Sequence, residues 1–396
     1  MRQLGKKKDL EYEILVFSDE WFGLPFSCKH LLQHFLPDHP LIWVETIGLR
    51  SPKLNLYDVK RTIMKISQWI LSANNRECEV IPENLYIINP FQIPYNHFKV
   101  VRIINKSILL RAINCFQDKA GNRQRVFITT WPFLGNLIGR MGEGLSIYYR
   151  VDDFSEFPGV HKKAISELEN ELIEKVDMVV GTSENLIKIN LGKKKVHYLP
   201  HGVDFEHFST KVSGEGYKLA IQKIPSPRIG FFGLLSSWID FDLLSTLARM
   251  QRQWSFILIG PNQIPISQLP QAPNIHYLGA ASYEELPKYA QYFDVGIIPF
   301  KVNALTISVN PLKLMEYLSI GFPVISTPLP EVMKYREYVS IASDPETFVK
   351  AVKSSLEEDN PQLREARRFL ARSHSWKEKS LQLKTWIEEG LECKIV

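Results

Sequence analysis

The sequence predicts an α/β protein made of two doubly wound domains with parallel sheets. Short buried apolar runs alternate with helical stretches along most of the chain, as strands and helices do in such folds. The alternation occurs twice, and a cluster of Ser, Gly and Pro at 205–227 separates the two series. The length of 396 residues, with 45% hydrophobic and 23% charged residues, suits two soluble domains of ordinary size.

The first domain is predicted to span residues 1–207. Its strands are apolar runs that end in polar loops, and helical stretches at about Ser27–Leu36 and Glu167–Val176 lie between strands. The predicted strands are Tyr12–Phe17, Leu41–Glu45, Leu85–Asn89, Val126–Thr130, Leu145–Tyr149, Met178–Thr182 and His197–Pro200.

A linker at 208–227 precedes a second domain at 228–375, and a closing helix at Trp376–Glu392 lies within the last segment, 376–396. Helices are expected at Asp242–Gln251 and Ser282–Gln291. The predicted strands of this domain are Arg228–Gly233, Ser255–Gly260, Asn274–Leu278, Val295–Pro299 and Val324–Ser326. In such sheets ligands bind at the carboxyl ends of the strands.

Charge and cysteine content limit the partners and the compartment. Residues 50–125 hold 13 Lys and Arg against 5 Asp and Glu, which favours an anionic partner. The four cysteines have no paired spacing, and the polar start Met1–Leu10 is not a secretory signal. We therefore expect a cytoplasmic protein without a structural zinc site.

The segment Asn310–Ser326 has the pattern of a capped helix followed by a buried strand. Asn310 is a suitable N-cap, Pro311 suits the first helical position, and Gly321 suits the helix end. The free N–H groups of a helix N-terminus bind anions, above all phosphate. Thr306 and Ser308 precede this helix as further donors, and Lys313 and Glu316 lie one turn apart on one face. The pattern fits either an ordinary helix with a solvated ion pair or a site for phosphate and ribose.

Two loops of the first domain carry candidate groups for chemistry. Asp152 and Asp153 follow a predicted strand, and a positioned carboxylate there can take the proton of an attacking hydroxyl. Successive side chains point to opposite sides of a strand, so only one of the two is expected in the site, and we favour Asp153. Gly23 lies in the first strand-to-helix loop, where a ligand can approach the backbone.

The chain resembles the GT-B glycosyltransferases. The pattern Pro-x-Lys-x-x-Glu-Tyr-Leu-x-x-Gly-x-Pro-Val-Ile in Asn310–Ser326 is similar to the donor site of the large retaining family, and bacterial polysaccharide enzymes of the teichuronic acid type are the nearest in pattern. The resemblance covers about three quarters of the chain and is weakest at 50–125. It extends through Arg228–Gly233, Phe256–Pro261, Asn274–Gly279, Tyr292–Phe300, Tyr149–Phe154 and Leu199–Asp204.

The resemblance implies two Rossmann-like domains facing a cleft and a nucleoside diphosphate sugar as donor substrate, with no bound cofactor or metal. It places Glu316 at the ribose hydroxyls and Lys313 at the diphosphate. Ser308 stands where that family has its first Glu, and the two cations usual after Gly233 are absent, so retention or inversion stays open. Further donor contacts are implied at Asn310, Thr306, Gly233, Gly260, Pro261 and Gly279.

The resemblance therefore implies a metal-independent hexosyltransferase that serves polysaccharide assembly in the cell envelope. Its acceptor would be a glycan or a lipid-linked sugar, bound by the first domain. Basic amphipathic stretches at Lys60–Leu71 and Val100–Phe116 favour peripheral contact with an anionic membrane, or else are ordinary helices with solvated edges. Nucleic-acid binding is disfavoured. A sugar-nucleotide epimerase and a catalytically degenerate membrane-peripheral scaffold remain as alternatives.

Overall fold

The computed structural model describes residues 11–23, 26–48, 80–96, 98–117, 123–188, 195–210 and 220–395. The chain forms two compact units, each assembled from separate stretches of sequence. The first comprises Met1–Gly181, Ile189–His197 and Ser380–Val396, and the second Thr182–Lys188 and Tyr198–Lys379. The division differs from the predicted boundaries, because 182–188 and 198–207 join the second unit and 380–396 joins the first.

The first unit contains a seven-stranded sheet in the order β3-β2-β1-β4-β5-β6-β7. Neighbouring strands from β3 to β6 pair in parallel. The interior strands β1, β2 and β4 are almost wholly buried, as expected of strands covered on both faces. The strands are β1 Tyr12–Ser18, β2 Leu41–Glu45, β3 Leu85–Ile88, β4 Gln124–Thr129, β5 Glu143–Arg150, β6 Met178–Gly181 and β7 Lys195–Tyr198.

In the described part of this unit, the helices between strands are α1 Ser27–Leu32, α2 Lys99–Gln117 and α3 Lys162–Lys175. Helix α3 is fastened to the end of β5 by a buried ion pair, in which Arg150 donates to both carboxylate oxygens of Glu169 at 2.9 and 2.7 Å. The hydroxyl of Tyr148 donates to the same carboxylate at 2.6 Å. This network fixes the direction in which the chain leaves β5 towards Asp152.

The second unit contains a six-stranded sheet in the order β10-β9-β8-β11-β12-β13, with every neighbouring pair parallel. Gly230 lets the ring of Phe293 pack directly on the sheet, since a methyl group at position 230 would lie 2.1 Å from that ring. The strands are β8 Arg228–Phe232, β9 Ser255–Ile259, β10 Ile275–Tyr277, β11 Val295–Ile298, β12 Val324–Ser326 and β13 Ser340–Ile341.

The remaining helices are α4 Glu184–Ile187, α5 Phe205–Ser209, α6 Phe241–Met250, α7 Leu286–Ala290, α8 Leu312–Ile320, α9 Pro330–Met333, α10 Pro345–Glu358, α11 Pro361–Arg372 and α12 Trp376–Ile395. All belong to the second unit except most of α12, which from Ser380 onwards belongs to the first. Helix α8 ends at Gly321, whose φ of 100° is left-handed, as the sequence predicts.

The predicted fold class, two parallel doubly wound α/β domains and a closing helix, is confirmed. Several details differ from the prediction. The short strand β13 and helices α9, α10 and α11 were not predicted, and the region of Ser282–Gln291 is a 3₁₀ turn followed by the short α7. The basic stretch Lys60–Leu71 and residues 211–219 of the predicted linker lie outside the described residues.

Candidate functional site

Three glycines follow neighbouring strands of the second sheet at their carboxyl ends. Gly233 follows β8, Gly260 follows β9, and Gly279 comes shortly after β10, with left-handed φ values of 134°, 142° and 77°. The backbone N–H of Gly233 donates to Ile259 at 2.8 Å, and that of Gly260 donates to Gly279 at 2.7 Å. The structure therefore brings three predicted donor-site residues together in one strip of backbone. Pro261 adjoins it and accepts a hydrogen bond from Leu235 N at 2.9 Å.

Lys313 extends from the first turn of α8 onto this strip. A methyl group built at Gly233 would lie 2.2 Å from Lys313 Cε and 2.6 Å from its Nζ. The ammonium also lies 5.5 Å from the centre of the Phe231 ring, within the range of a cation–π contact. The positive charge of Lys313 is thus held at the carboxyl end of β8, where an anionic ligand of a doubly wound sheet binds.

Glu316 lies one turn further along α8, and its charge interacts with that of Lys313. Burial raises the pKa of the Glu316 carboxyl to about 7, although the neighbouring ammonium opposes the shift. Burial likewise lowers the pKa of Lys313, and Glu316 opposes that shift. Partial burial therefore destabilises the charged form of both side chains. A ligand that offers an anion to Lys313 and hydroxyls to Glu316 would stabilise both charges.

Tyr283 is a neighbour of this pair that the sequence did not single out. Burial first, and then the negative charge of Glu316, raise the pKa of its hydroxyl. Its ring stacks on His207 with centroids 4.3 Å apart, and the His207 Nε2 lies 2.9 Å from the carbonyl oxygen of Tyr283. A single tyrosine at the start of a short helical turn has no sequence pattern that marks it, so only the structure could find it.

The three polar residues ahead of α8 are hydrogen-bonded within the protein, and their role as donors to a phosphate stays a prediction. The Thr306 hydroxyl is fully buried, accepts from Asn303 N at 3.0 Å and donates to Lys301 O. Ser308 is also fully buried, and its Oγ accepts from the Asn185 side chain at 2.7 Å.

Asn310 is not the N-cap of α8, contrary to the prediction. Pro311 occupies that position with extended backbone, and no side chain caps the helix. The Asn310 amide instead donates to the carbonyl of Thr182 at 2.9 Å and lies 3.5 Å from the Glu331 carboxylate. These bonds fix the segment that leads into α8.

In the first unit, the two adjacent aspartates have different environments. Asp153 caps the short 3₁₀ helix Phe154–Glu156, since its carboxylate accepts from Ser155 N at 3.2 Å and from Ser155 Oγ at 2.7 Å. Burial, and secondly the charge of Asp153, raise the pKa of Asp152 to about 7. A carboxylate with a pKa near neutrality is the better general base. The two carboxylates thus differ in their surroundings, and the choice of the base stays a prediction.

Gly23 lies exposed in the loop after β1, and its N–H donates to the Glu20 carbonyl at 3.0 Å. The loop is held by its neighbours in the sheet, because Trp21 N donates to Glu45 at 3.1 Å and Trp43 Nε1 donates to Asp19 O at 2.8 Å. Gly23 and the two aspartates belong to the first unit, whereas Gly233, Gly260, Gly279, Lys313 and Glu316, here called the Lys313 cluster, belong to the second.

Within the described residues, no group of three or more His, Cys, Asp or Glu side chains is placed to hold a metal ion. None of the described helices combines the length and apolarity needed to cross a membrane. A cavity of about 670 Å³ lies away from the Lys313 cluster, between the start of β12, β13 and helices α9 to α11. Its lining includes Arg336, Glu337, Asp359 and Arg367.

Comparison with known proteins identifies the part of the chain that carries the Lys313 cluster. Residues 226–358 match the family model described as glycosyl transferases group 1. This stretch is therefore similar to a group 1 glycosyltransferase domain. The matched stretch contains the three glycines, Lys313 and Glu316.

A relative in sequence is the Bacillus subtilis (strain 168) protein named "Putative teichuronic acid biosynthesis glycosyltransferase TuaH". It is 30% identical over 237 residues, which cover 56% of this chain and 58% of that protein. The match thus spans somewhat over half the length of the curated relative.

Solved structures with the same fold cover almost the whole chain. Sucrose-phosphate synthase from Thermosynechococcus elongatus matches with a TM-score of 0.70 and 14% identity, over 96% of this chain and 99% of that one. HepE of Anabaena, in complex with UDP and glucose, matches with a TM-score of 0.65 and 13% identity, over 96% of this chain and 100% of that one. A trehalose-6-phosphate structure from E. coli, bound with UDP-2-fluoro glucose, matches with a TM-score of 0.65 and 10% identity. This match covers 96% of this chain and 99% of that one. The fold is the GT-B fold of glycosyltransferases, as predicted.

Gly260 and Gly279 provide a matched pair of substitutions at this strip. A methyl group at Gly260 would lie 2.0 Å from the backbone oxygen of Gly233, whereas one at Gly279 would have no atom within 4 Å. Both alanine variants bear the strain of a left-handed φ, about 1–3 kcal/mol. We expect Gly260→Ala to lose clearly more free energy of unfolding than Gly279→Ala in urea denaturation. Equal losses would contradict the close packing of the two strand ends.

Proposed function

We propose that the protein transfers a hexose from a nucleoside diphosphate sugar to a glycan or lipid-linked acceptor in polysaccharide assembly. The observation that carries the proposal is the Lys313 ammonium, held against Gly233 at the carboxyl end of β8 with Glu316 one turn away. The cluster lies in the group 1 domain, and solved structures of the same fold contain UDP or UDP-sugars. The relative TuaH is named for teichuronic acid biosynthesis.

In this proposal Lys313 and the first N–H groups of α8 bind the donor diphosphate. The charge that develops on the leaving diphosphate is stabilised most where the cation is already in place and partly dehydrated. Glu316 accepts hydrogen bonds from ribose hydroxyls as a carboxylate. The backbone at Gly233, Gly260, Pro261 and Gly279 leaves room for the nucleoside. Lys313 takes the electrostatic role of a metal ion, so we propose transfer without a metal.

The first unit binds the acceptor in this proposal, and Asp152 removes the proton from its attacking hydroxyl. A base works best when its pKa lies close to the working pH, since it is then both deprotonated and sufficiently basic. A pKa of about 7 for Asp152 meets this condition. In this proposal Asp153 has a structural role instead, because its carboxylate accepts hydrogen bonds from Ser155 and so supports the fold of the loop.

A membrane-facing role for α2 is a further part of the proposal, because the acceptor of such a reaction can be lipid-linked. Val100, Ile103 and Ile104 are exposed on this helix, with exposed fractions of 68%, 55% and 40%, while Lys99 and Arg111 are exposed on the same element. Exposed apolar side chains flanked by basic ones suit the interface of an anionic bilayer.

Replacement of Lys313 tests the donor site. Lys313→Met keeps an unbranched side chain but removes the charge, so we expect UDP and UDP-sugars to bind roughly 10- to 100-fold more weakly, as for loss of a charge-assisted contact of about 1.5–3 kcal/mol. Isothermal titration calorimetry measures the affinity. Lys350→Met, at an exposed lysine of α10, is the control and should bind as the wild type does. Unchanged affinity in Lys313→Met would refute the assignment.

Replacement of Asp152 tests the base. We expect Asp152→Asn to lower turnover roughly 100-fold or more while UDP affinity stays unchanged, and Asp153→Asn to have a smaller effect through its loop.

In the wild type, Asp152 becomes protonated as the pH falls through about 7, so single-turnover transfer with saturating donor should fall below that pH. A screen of UDP-, GDP- and dTDP-sugars with anomeric product analysis supplies the assay. Full turnover in Asp152→Asn would remove it from the mechanism, and donor binding without transfer in the wild type would favour a degenerate scaffold.

Charge removal from α2 tests the membrane contact. The triple variant Lys99→Gln, Lys106→Gln, Arg111→Gln should float less with vesicles that contain anionic lipid, by about 1 kcal/mol of binding per charge near the surface. A variant with three exposed lysines of the second unit changed, Lys301→Gln, Lys350→Gln and Lys353→Gln, is the control for net charge. Equal flotation of both variants would favour ordinary solvated helix edges.

A further inference from the structure

Glu331 of α9 is a buried carboxylate that the proposed mechanism does not use. Its exposed fraction is 2%. Its Oε1 accepts from Glu184 N at 2.7 Å, its Oε2 accepts from the Tyr198 hydroxyl at 2.6 Å, and Lys334 Nζ lies 2.9 Å from both oxygens. The Asn310 amide is 3.5 Å from Oε2. A buried carboxylate is tolerated where donors surround it in this way.

Two of the donors to Glu331 come from the stretches at which the chain passes into the second unit. Glu184 belongs to the short excursion 182–188, and Tyr198 is the residue at which the chain returns for the rest of the unit. Lys334 connects these two stretches, because its Nζ lies 3.0 Å from the Glu184 carboxylate and donates to the Tyr198 hydroxyl at 2.9 Å.

The same short stretch, 182–188, is hydrogen-bonded to the segment that leads into α8. Asn185 donates to Ser308 at 2.7 Å, and Asn310 donates to the carbonyl of Thr182 at 2.9 Å. We call this set of residues the Glu331 clasp: Thr182, Glu184, Asn185, Tyr198, Ser308, Asn310, Glu331 and Lys334. The clasp fixes the segment Ser308–Asn310 from two sides.

Lys313 lies only three residues beyond the clasp. Pro311 and the first turn of α8 connect Asn310 to Lys313, and the fixed φ of proline leaves this connection little freedom. The ammonium has little room, since it lies against the backbone of Gly233. A small displacement of Ser308–Asn310 would therefore move the ammonium, and misplacement by about 1 Å can cost about 100-fold in activity.

A stabilising role alone explains the clasp poorly. Buried ion pairs are often no better for stability than apolar side chains of the same volume, because the charges lose hydration. Their best-attested use is to select one arrangement of the chain among several. In the clasp, the arrangement selected is the one that presents Lys313 to Gly233.

We propose that Glu331 is a positioning residue for the donor: it holds Ser308–Asn310, and through them Lys313, in the arrangement that binds the diphosphate. This inference rests on the proposed donor site. Glu331 touches no donor atom in it and acts only through the clasp.

The test compares UDP affinity with thermal stability in the full-length protein. Glu331→Gln keeps the shape of the side chain but removes its charge, and Tyr198→Phe removes one hydrogen bond while it leaves the carboxylate in place, in case the first variant does not fold. Each variant should raise the Kd of UDP about 10-fold or more. The control is Asp359→Asn, which weakens another buried carboxylate of the same unit, paired with Arg364 at 2.6 Å and Arg367 at 2.8 Å. It should lower the melting temperature and leave the Kd within about twofold.

A second comparison separates positioning from general destabilisation. If Glu331 acts through Lys313, then Glu331→Gln should have little further effect on UDP affinity in a Lys313→Met background, because the group that it positions is already lost. A full additional effect in that background would overturn the inference, as would unchanged UDP affinity in both folded clasp variants. A wild-type protein that does not bind UDP would instead refute the proposed donor site, and the inference would fall with it.

Discussion

The close approach of α8 to the carboxyl ends of the second sheet is the constraint on which the site depends. Gly296 lets Tyr317 and Phe322 lie on β11, and Gly233 leaves room for the Lys313 side chain. The Tyr317 hydroxyl accepts from Phe232 N at 3.1 Å and so holds the helix to the end of β8. A side chain at Gly296 would push the helix away, and one at Gly233 would displace the Lys313 side chain. The close packing of α8 on the sheet thus brings the ammonium to the carboxyl end of β8.

The alternation of apolar runs and helical stretches was sufficient to predict both sheets, because a parallel strand buried on both faces is a continuous apolar run. It was not sufficient for β13, whose two residues are too few to form a pattern. It also gave the wrong cap for α8. Asn310 is the usual residue type for an N-cap, but its amide is bonded to Thr182, more than a hundred residues away, and such tertiary contacts leave no local signal.

The candidate site was predicted only in part, because only some of its residues are marked by spacing or by their place at a strand end. Lys313 and Glu316 share a helix face by spacing alone, and the three glycines end strands, so their grouping followed from topology. Glu331 was missed because a single acidic residue in a short helix has no pattern. The choice between Asp152 and Asp153 depended on Ser155, since the residue whose carboxylate is occupied by a cap is the poorer base.

The interrupted course of the chain has a consequence for how such a domain is inherited. The second unit is built from Thr182–Lys188 together with Tyr198–Lys379, whereas the group 1 match covers 226–358. A recombination event that transplanted only the matched stretch would leave behind Glu184 and Tyr198, and the carboxylate of Glu331 would be buried without two of its donors. Domains of this design are therefore expected to move between genes together with the segments that join them to their partner domain.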